Sequence, residues 1–432
     1  MKRYFLGLAA FILNAGVALG QANISPAKPQ VKPVIISGAT IHTGTGEVIE
    51  NGYISFDRGK ITAIGSGTAP ANPQAERIDA RGKHVYPGFI APVTDLGLVE
   101  FEAVKATVDE QETGDINPHI RSIIAYNTDS KVIPTVRSNG VLLAQPTPQG
   151  GVISGQSSVV TLDAWNWEDA AYRTDVAIHL NWPVARSFAS PTQTRQTGAD
   201  SQKEHVKKLI ADLESLFAEA KAYASIEKPA VVNARFEAMK GLFNGSKKLF
   251  IEVNTAKGIM EVIRFARKMG VQAVITGGSE SHLVAELLRE NQIPVILRET
   301  QTLPDKTEDD VYLPYKLPKM LHDAGVLYSL TGIGFWRQRN LPFEAGTAAA
   351  YGLTKEQALA MITLNTAKIL GIDKTTGSLE TGKDATLFIS AGDALDMLTL
   401  DVEKAYIQGR DINLDNLHKQ LYKRYSDKYG LK

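Results

Sequence analysis

With no cysteine among its 432 residues, this chain has carboxylates, imidazoles, hydroxyls and amides for its chemistry. The absence excludes disulfides, thiolate metal sites, a cysteine nucleophile and a lipid-anchored cysteine. Of the eight histidines, His42 and His84 fall in β-rich segments, His205 and His418 in charged helical stretches, and His322 near a helix end. His119, His179 and His282 are left as pocket residues, each with a structural role as the simpler reading. Glu280 and His282 follow a strand end at Gly277-Gly278, and in an α/β barrel that is the catalytic face. They form the best polar pair outside any recognised motif. Gly150-Gly151 and Gly155 could cradle an anion, but a tight inter-strand loop is the simpler reading. Trp165, Trp167 and Trp182 read as core or lid packing before ligand contact.

The elements that position these residues follow from pattern. Leu249 to Val253, Val271 to Ile275 and Ile293 to Leu297 are apolar runs whose starts are spaced by 22 residues, as in βα units of a parallel sheet. Between the first two, Ile259, Val262, Ile263 and Ala266 mark one face of a helix. Val326 to Leu330 is a further strand, and Thr354 to Gln357 is a capping-box pattern opening another helix. Residues 200–225 read as a charged amphipathic helix. The stretch 89–375 suits an eight-stranded barrel of ~250 residues with insertions. A doubly wound open sheet is the alternative, but no Gly-x-Gly-x-x-Gly follows a strand, so a dinucleotide site has no support.

Short strands with turn residues flank this middle. Val34 to Ile36, Tyr53 to Phe56 and Ile61 to Ile64, the last two joined by Asp57-Arg58-Gly59-Lys60, lie on one side. Thr386 to Ile389 and Lys404 to Ile407 lie on the other. Strands at both chain ends most economically pair in one small sandwich. The expected organisation is a signal peptide at 1–20, a linker at 21–33, β-sandwich at 34–88 and 376–414, a barrel at 89–375 and a helical tail at 415–432.

The leader rests on Lys2 and Arg3, an apolar run from Phe5 to Leu13, and Ala18-Leu19-Gly20 as a cleavage site. The run is shorter than the ~20 residues that span a bilayer, so the expected protein is exported, periplasmic or secreted, and free of the membrane after cleavage. Equal numbers of basic and acidic residues, 47 each, give no reason to expect nucleic acid as a partner.

Several motifs together resemble the amidohydrolase superfamily, of the imidazolonepropionase-like type. They are Thr40 to Gly44, Val85-Tyr86-Pro87-Gly88-Phe89-Ile90, Arg339 to Ala345, Gly352-Leu353-Thr354, Ala358-Leu359, Thr363 to Ala367, and Gly371 through Ala385. The resemblance implies an α/β fold, a (β/α)8 TIM-like barrel plus a composite β-sandwich, and a hydrolase of non-peptide carbon–nitrogen bonds. It also implies a divalent metal that ionises water, held by imidazole and carboxylate ligands. In such proteins an Asp-x-His-x-His run follows the Pro-Gly-Phe-Ile element; here those positions read Ala91 to Asp95, with Val93 and Asp95 in place of the histidines. By the same resemblance, Asn254 replaces a later histidine, another histidine would fall near Thr276 or Gly277, and Gly332 replaces the last-strand aspartate. Losing the paired histidines and the base removes both Lewis acid and proton acceptor.

The expectation is therefore a degenerate amidohydrolase that takes a small-molecule ligand, as a homo-oligomer or as a partner subunit in a hetero-oligomer with an active relative, with no cofactor. The alternative is a working hydrolase of cyclic amides or dipeptide-like substrates, with Asp95, Asn254, Glu280 and His282 as candidates. Zinc or another divalent metal would then mark a rebuilt site.

Overall fold

The computed structural model describes residues 25–184 and 199–431. The expected leader lies outside them. Among the described residues, no helix is long and apolar enough to cross a membrane.

Eight strands form the barrel sheet, in the order Phe89–Thr94, Val141–Pro146, Ile153–Thr161, Ala171–Asn181, Lys248–Val253, Ala273–Gly277, Val295–Leu297 and Tyr328–Leu330. The later strands are nearly continuous apolar runs because helices cover one side and the barrel interior the other. The 22-residue reading is borne out, with parallel pairs Leu249↔Ala273 and Ile275↔Val295. The intervening helix Ala256–Met269 opens where Thr255 Oγ1 accepts the Gly258 N–H at 3.2 Å. It closes at Gly270, φ +72°, and buries Ile259, Val262, Ile263 and Ala266. The capping box is also present: Gln357 N–H donates to Thr354 Oγ1 at 3.2 Å and Thr354 N–H to Gln357 Oε1 at 2.9 Å.

The barrel departs from strict βα alternation at one place. Strand Ile153–Thr161 runs antiparallel to both its neighbours, with Leu143↔Thr161 and Ile153↔Leu180 in register. The connections on either side are too short for the crossover of a dozen or more residues that a parallel strand needs. The loop before it turns at Gly150 and Gly151, φ +79° and +62°. Its carbonyls accept Ser154 Oγ–H at 2.6 Å and Asn181 Nδ2–H at 2.8 Å, as expected of a tight inter-strand loop. The first and last strands approach closely where Thr331 Oγ1, just beyond the last strand, donates to Pro92 O; Ile90 N–H donates to Ile362 O at the end of helix Lys355–Met361 at 2.9 Å. The barrel is nearly closed.

The second sheet draws on both chain ends. Leu387–Ser390 lies antiparallel to His84–Pro87, with Leu387↔Pro87 and Ser390↔His84 paired. Val34–His42, Val48–Asp57 and Lys60–Ser66 extend it on one side, Val402–Ile407 and Arg410–Asp411 on the other. The Asp57-to-Lys60 turn puts Arg58 and Gly59 at φ +48° and +78°, the geometry that joins twisted antiparallel strands in two residues. Ile36, Ile41, Ile54, Phe56 and Leu387 fill this sheet's own core, separate from the barrel's.

Candidate functional site

A cleft of about 450 Å³ opens where the barrel strands end, between the connecting loops. Six side chains give it charge and proton chemistry. Asp95 follows the first strand, Glu102 and Glu110 come from the loop after it, and His179 and Glu252 lie near the ends of their strands. Arg298 directly follows Val295–Leu297. Val93, Thr276, Thr331 and Gly332 complete the parts that bear on function.

Val93 sits at φ +47°, a conformation that a β-branched side chain adopts only under strain. Its N–H donates to Gln145 Oε1 at 3.2 Å, and Gln145 Nε2–H donates to Ser157 Oγ at 2.9 Å. Ser157 Oγ lies 2.7 Å from His179 Nε2 and shares a hydrogen bond with it. This buried chain ties four strands together and fixes the position of the His179 ring. Burial takes the His179 pKa down to about 3, so the ring carries no charge at neutral pH.

The carboxylates are held differently. Glu252 accepts Thr276 Oγ1–H at 3.0 Å and forms an ion pair with Arg298. Asp95 has one oxygen buried without a hydrogen-bond partner. Burial, with Glu110 and Glu102 adding their charge, pushes Asp95 up to about 6. Glu110 moves upward too, from burial first and Glu102 second.

The structure separates the four candidates read from the sequence. Asp95 lines the cleft. Asn254 lines an adjoining cavity instead, its Nδ2 3.4 Å from Glu252 Oε1. Glu280 and His282 line neither space. Glu280 accepts the Ala256 N–H at 2.8 Å at a helix N-terminus and pairs with Lys306. Burial works against its charge, but these partners outweigh it and hold the carboxyl below its usual range. His282 Nδ1 is buried without a partner. The chain turns at Gly277 and Gly278, φ +89° and +65°, and Ser281 N–H donates to Gly278 O at 2.9 Å.

Sequence reasoning missed Glu102, Glu110, Glu252 and Arg298, and left His179 as a minor candidate. Two of these had a signal. Glu252 interrupts the apolar run Leu249 to Val253, and His179 interrupts Val176 to Leu180, so each had to find a polar environment inside a buried strand. Glu102 and Glu110 come from an irregular loop whose path no periodicity specifies.

The residues at the expected ligand positions do not fit a divalent metal. Val93 offers no donor atom, and Asn254 belongs to the neighbouring cavity. Gly332 has only its carbonyl, which accepts Gln338 Nε2–H at 2.8 Å. His179 has given Nε2 to Ser157. Among the described residues, no three His, Cys, Asp or Glu side chains converge as a metal site would require.

Comparison with known proteins agrees with the architecture. The family model described as the amidohydrolase family matches residues 257–412. An amidohydrolase from Thermotoga maritima MSB8 superposes with a TM-score of 0.75 at 24% identity, over 88% of this chain and 99% of that one.

The fold is that of the amidohydrolases.

The resemblance read from the sequence is thereby borne out. Amidohydrolase tasK of Hapsidospora irregularis is 35% identical over 118 residues, 24% of this chain and 12% of that protein. The adenine deaminase of Clostridium botulinum (strain 657 / Type Ba4) is 20% identical over 89% of this chain and 57% of its own length. The matches thus span about an eighth and just over half of these relatives.

Proposed function

We propose that this protein is an exported amidohydrolase-fold protein that has lost metal-dependent hydrolysis and binds a small molecule in the barrel mouth, alone or as partner subunit to an active relative. The observation that carries this reading is the donor set of an open cleft. The space for a ligand remains, while Val93, Asn254 and Gly332 supply neither a metal ligand nor a proton acceptor. The chemistry of the fold's hydrolases needs both.

The test is metal content of protein isolated from its native compartment without chelator, followed by hydrolysis assays on cyclic amides with added zinc. Less than a tenth of an equivalent of zinc, manganese or iron and no turnover support the proposal. Near one equivalent with zinc-dependent turnover overturns it. The double variant Val93→His/Asp95→His is expected to stay inactive, because Gly332 still provides no base. Isolation from the native compartment also tests export, and recovery in the cytoplasm with the leader intact would contradict it.

One observation favours a second reading, a metal-free hydrolase. A carboxyl at about 6 is suited to general acid–base work near neutral pH, and Asp95 is such a group. Chelator-resistant turnover lost in Asp95→Asn would select this reading over the first.

A further inference from the structure

The last helix of the chain, Leu417–Tyr429, is fastened at its first turn only. Asn416 caps it, Oδ1 accepting the Lys419 N–H at 2.9 Å, and is itself buried, donating from Nδ2 to Ser138 Oγ at 3.0 Å. His418 stacks on Trp336 with ring centroids 5.8 Å apart. Along its whole length of about 20 Å, at 1.5 Å per residue, the helix has no buried residue. Helices in proteins draw most of their stability from a packed face, and this one packs none on its own protein.

Its side chains are sorted by chemistry. At about 100° per residue, His418, Tyr422, Tyr425 and Tyr429 fall within an arc of about 60°. The three tyrosines are 71%, 47% and 64% exposed, and with Trp336 they continue a ribbon of aromatic rings into solvent. Lys419 and Lys423 lie along one edge of this ribbon and Arg424 and Lys428 along the other. Asp427, the one acidic residue of the helix, lies on the far side. The four cations form no ion pair among the described residues. Two of them lean on the ribbon instead, Arg424 at 5.9 Å from the Tyr425 ring centre and Lys428 at 5.1 Å from that of Tyr429. The balance of 47 basic against 47 acidic residues over the whole chain hides this local excess.

We infer that this helix lies on the surface of an anionic lipid bilayer, its tyrosines among the headgroups and its cations against lipid phosphates. Charge complementarity carries the choice of partner: cations straddle the exposed face on both edges, and the acid points away from it, as a plane of negative charge requires. Tyrosine suits the headgroup layer because its ring is apolar while its hydroxyl needs a polar partner. A protein groove that buried the same face would have to supply partners for three hydroxyls, which the headgroups and their water provide. The inference is separate from the cleft and its chemistry, and it departs from the expectation of a protein free of the membrane after cleavage.

Co-sedimentation with vesicles tests this on the full mature protein, which lacks the apolar run Phe5 to Leu13. Vesicles of phosphatidylcholine alone are compared with vesicles containing phosphatidylglycerol as a third of their lipid. Affinity is expected to be at least tenfold higher for the anionic vesicles. It should fall at least tenfold in about 0.5 M salt, where the Debye length drops below about 5 Å. Lys419→Gln/Lys423→Gln/Arg424→Gln/Lys428→Gln should erase the preference for anionic lipid. Tyr422→Ser/Tyr425→Ser/Tyr429→Ser should weaken binding about tenfold at low salt while the charge preference survives. Both variants alter exposed side chains, so their unfolding midpoints in denaturant should match the parent's. Equal binding to both vesicle types, binding to neither, or anionic binding unchanged by the four glutamines would each overturn the inference. Dimerisation that the tyrosine variant abolishes, without vesicle binding, would assign the face to a second copy of the chain and overturn it too.

Discussion

Two aspartates that each follow a barrel strand meet opposite surroundings. Asp163, beyond Ile153–Thr161, is buried against the junction of barrel and small sheet, its side chain 1% exposed. It accepts Arg137 Nη1–H at 2.8 Å, the Ala27 N–H at 2.9 Å and Arg410 Nη1–H at 3.1 Å. Asp95, beyond Phe89–Thr94, faces other carboxylates and leaves one oxygen without a partner. The first carboxylate joins the N-terminal segment, the barrel and strand Arg410–Asp411 into one unit. The second is kept at a cost in stability, and costs of this kind concentrate where a ligand is handled. A buried acid is informative about function only when its partners are counted.

The comparison can be broken most forcefully at the junction. Asp163→Ala leaves Arg137 buried without its counter-charge and is expected to destabilise the protein by about 3–5 kcal/mol, read by chemical denaturation. A loss below about 1 kcal/mol would mean that the junction is not held by this cluster.

In the cleft the sign reverses and becomes pH-dependent. Because folding raises the Asp95 pKa from 3.8 to about 6, the folded state binds the proton more tightly between these values. Stability from this group is therefore lost as pH rises through that window. Asp95→Asn removes the penalty and is expected to stabilise by about 2 kcal/mol at pH 8 and by nothing at pH 4. His179 works the other way. Its folded pKa lies near 3, below the usual 6.5, so its contribution is lost as pH falls from about 6.5 towards 3. A His179→Gln variant should consequently show a shallower acid limb in its stability–pH curve than the parent.

The smallest effect concerns Val93. Val93→Asn places a residue that tolerates left-handed backbone at φ +47° and is expected to gain about 1 kcal/mol in thermal unfolding. A loss instead would show that the valine side chain contributes more through packing than its backbone conformation costs.

Much of the fold was legible because local and global preferences agree. The regular strand spacing, the helix faces, the Thr354 capping box and the Asp57-to-Lys60 turn all appear as read. Between Val141 and Asn181 a run of antiparallel strands replaces a βα unit, and no helical period in the sequence announces it. At the site, Asp95 was legible through the resemblance, which sets it where a metal-ligating histidine would stand after the first strand. Glu280 was not, because its role as acceptor at the helix beginning Ala256 depends on how two consecutive βα loops fold against each other.

The sequence by itself determined the elements, the pairing of both chain ends in one sheet, and the absence of donors at Val93 and Gly332, since residue type and period are local properties. Only the tertiary structure decided which carboxylates share a cleft. Asp95, Glu102, Glu110, His179 and Glu252 come from three separate parts of the chain, and their encounter is set by barrel closure and loop path. Whether a charge is compensated depends on what lies within a few ångströms in space, and sequence distance carries no record of that.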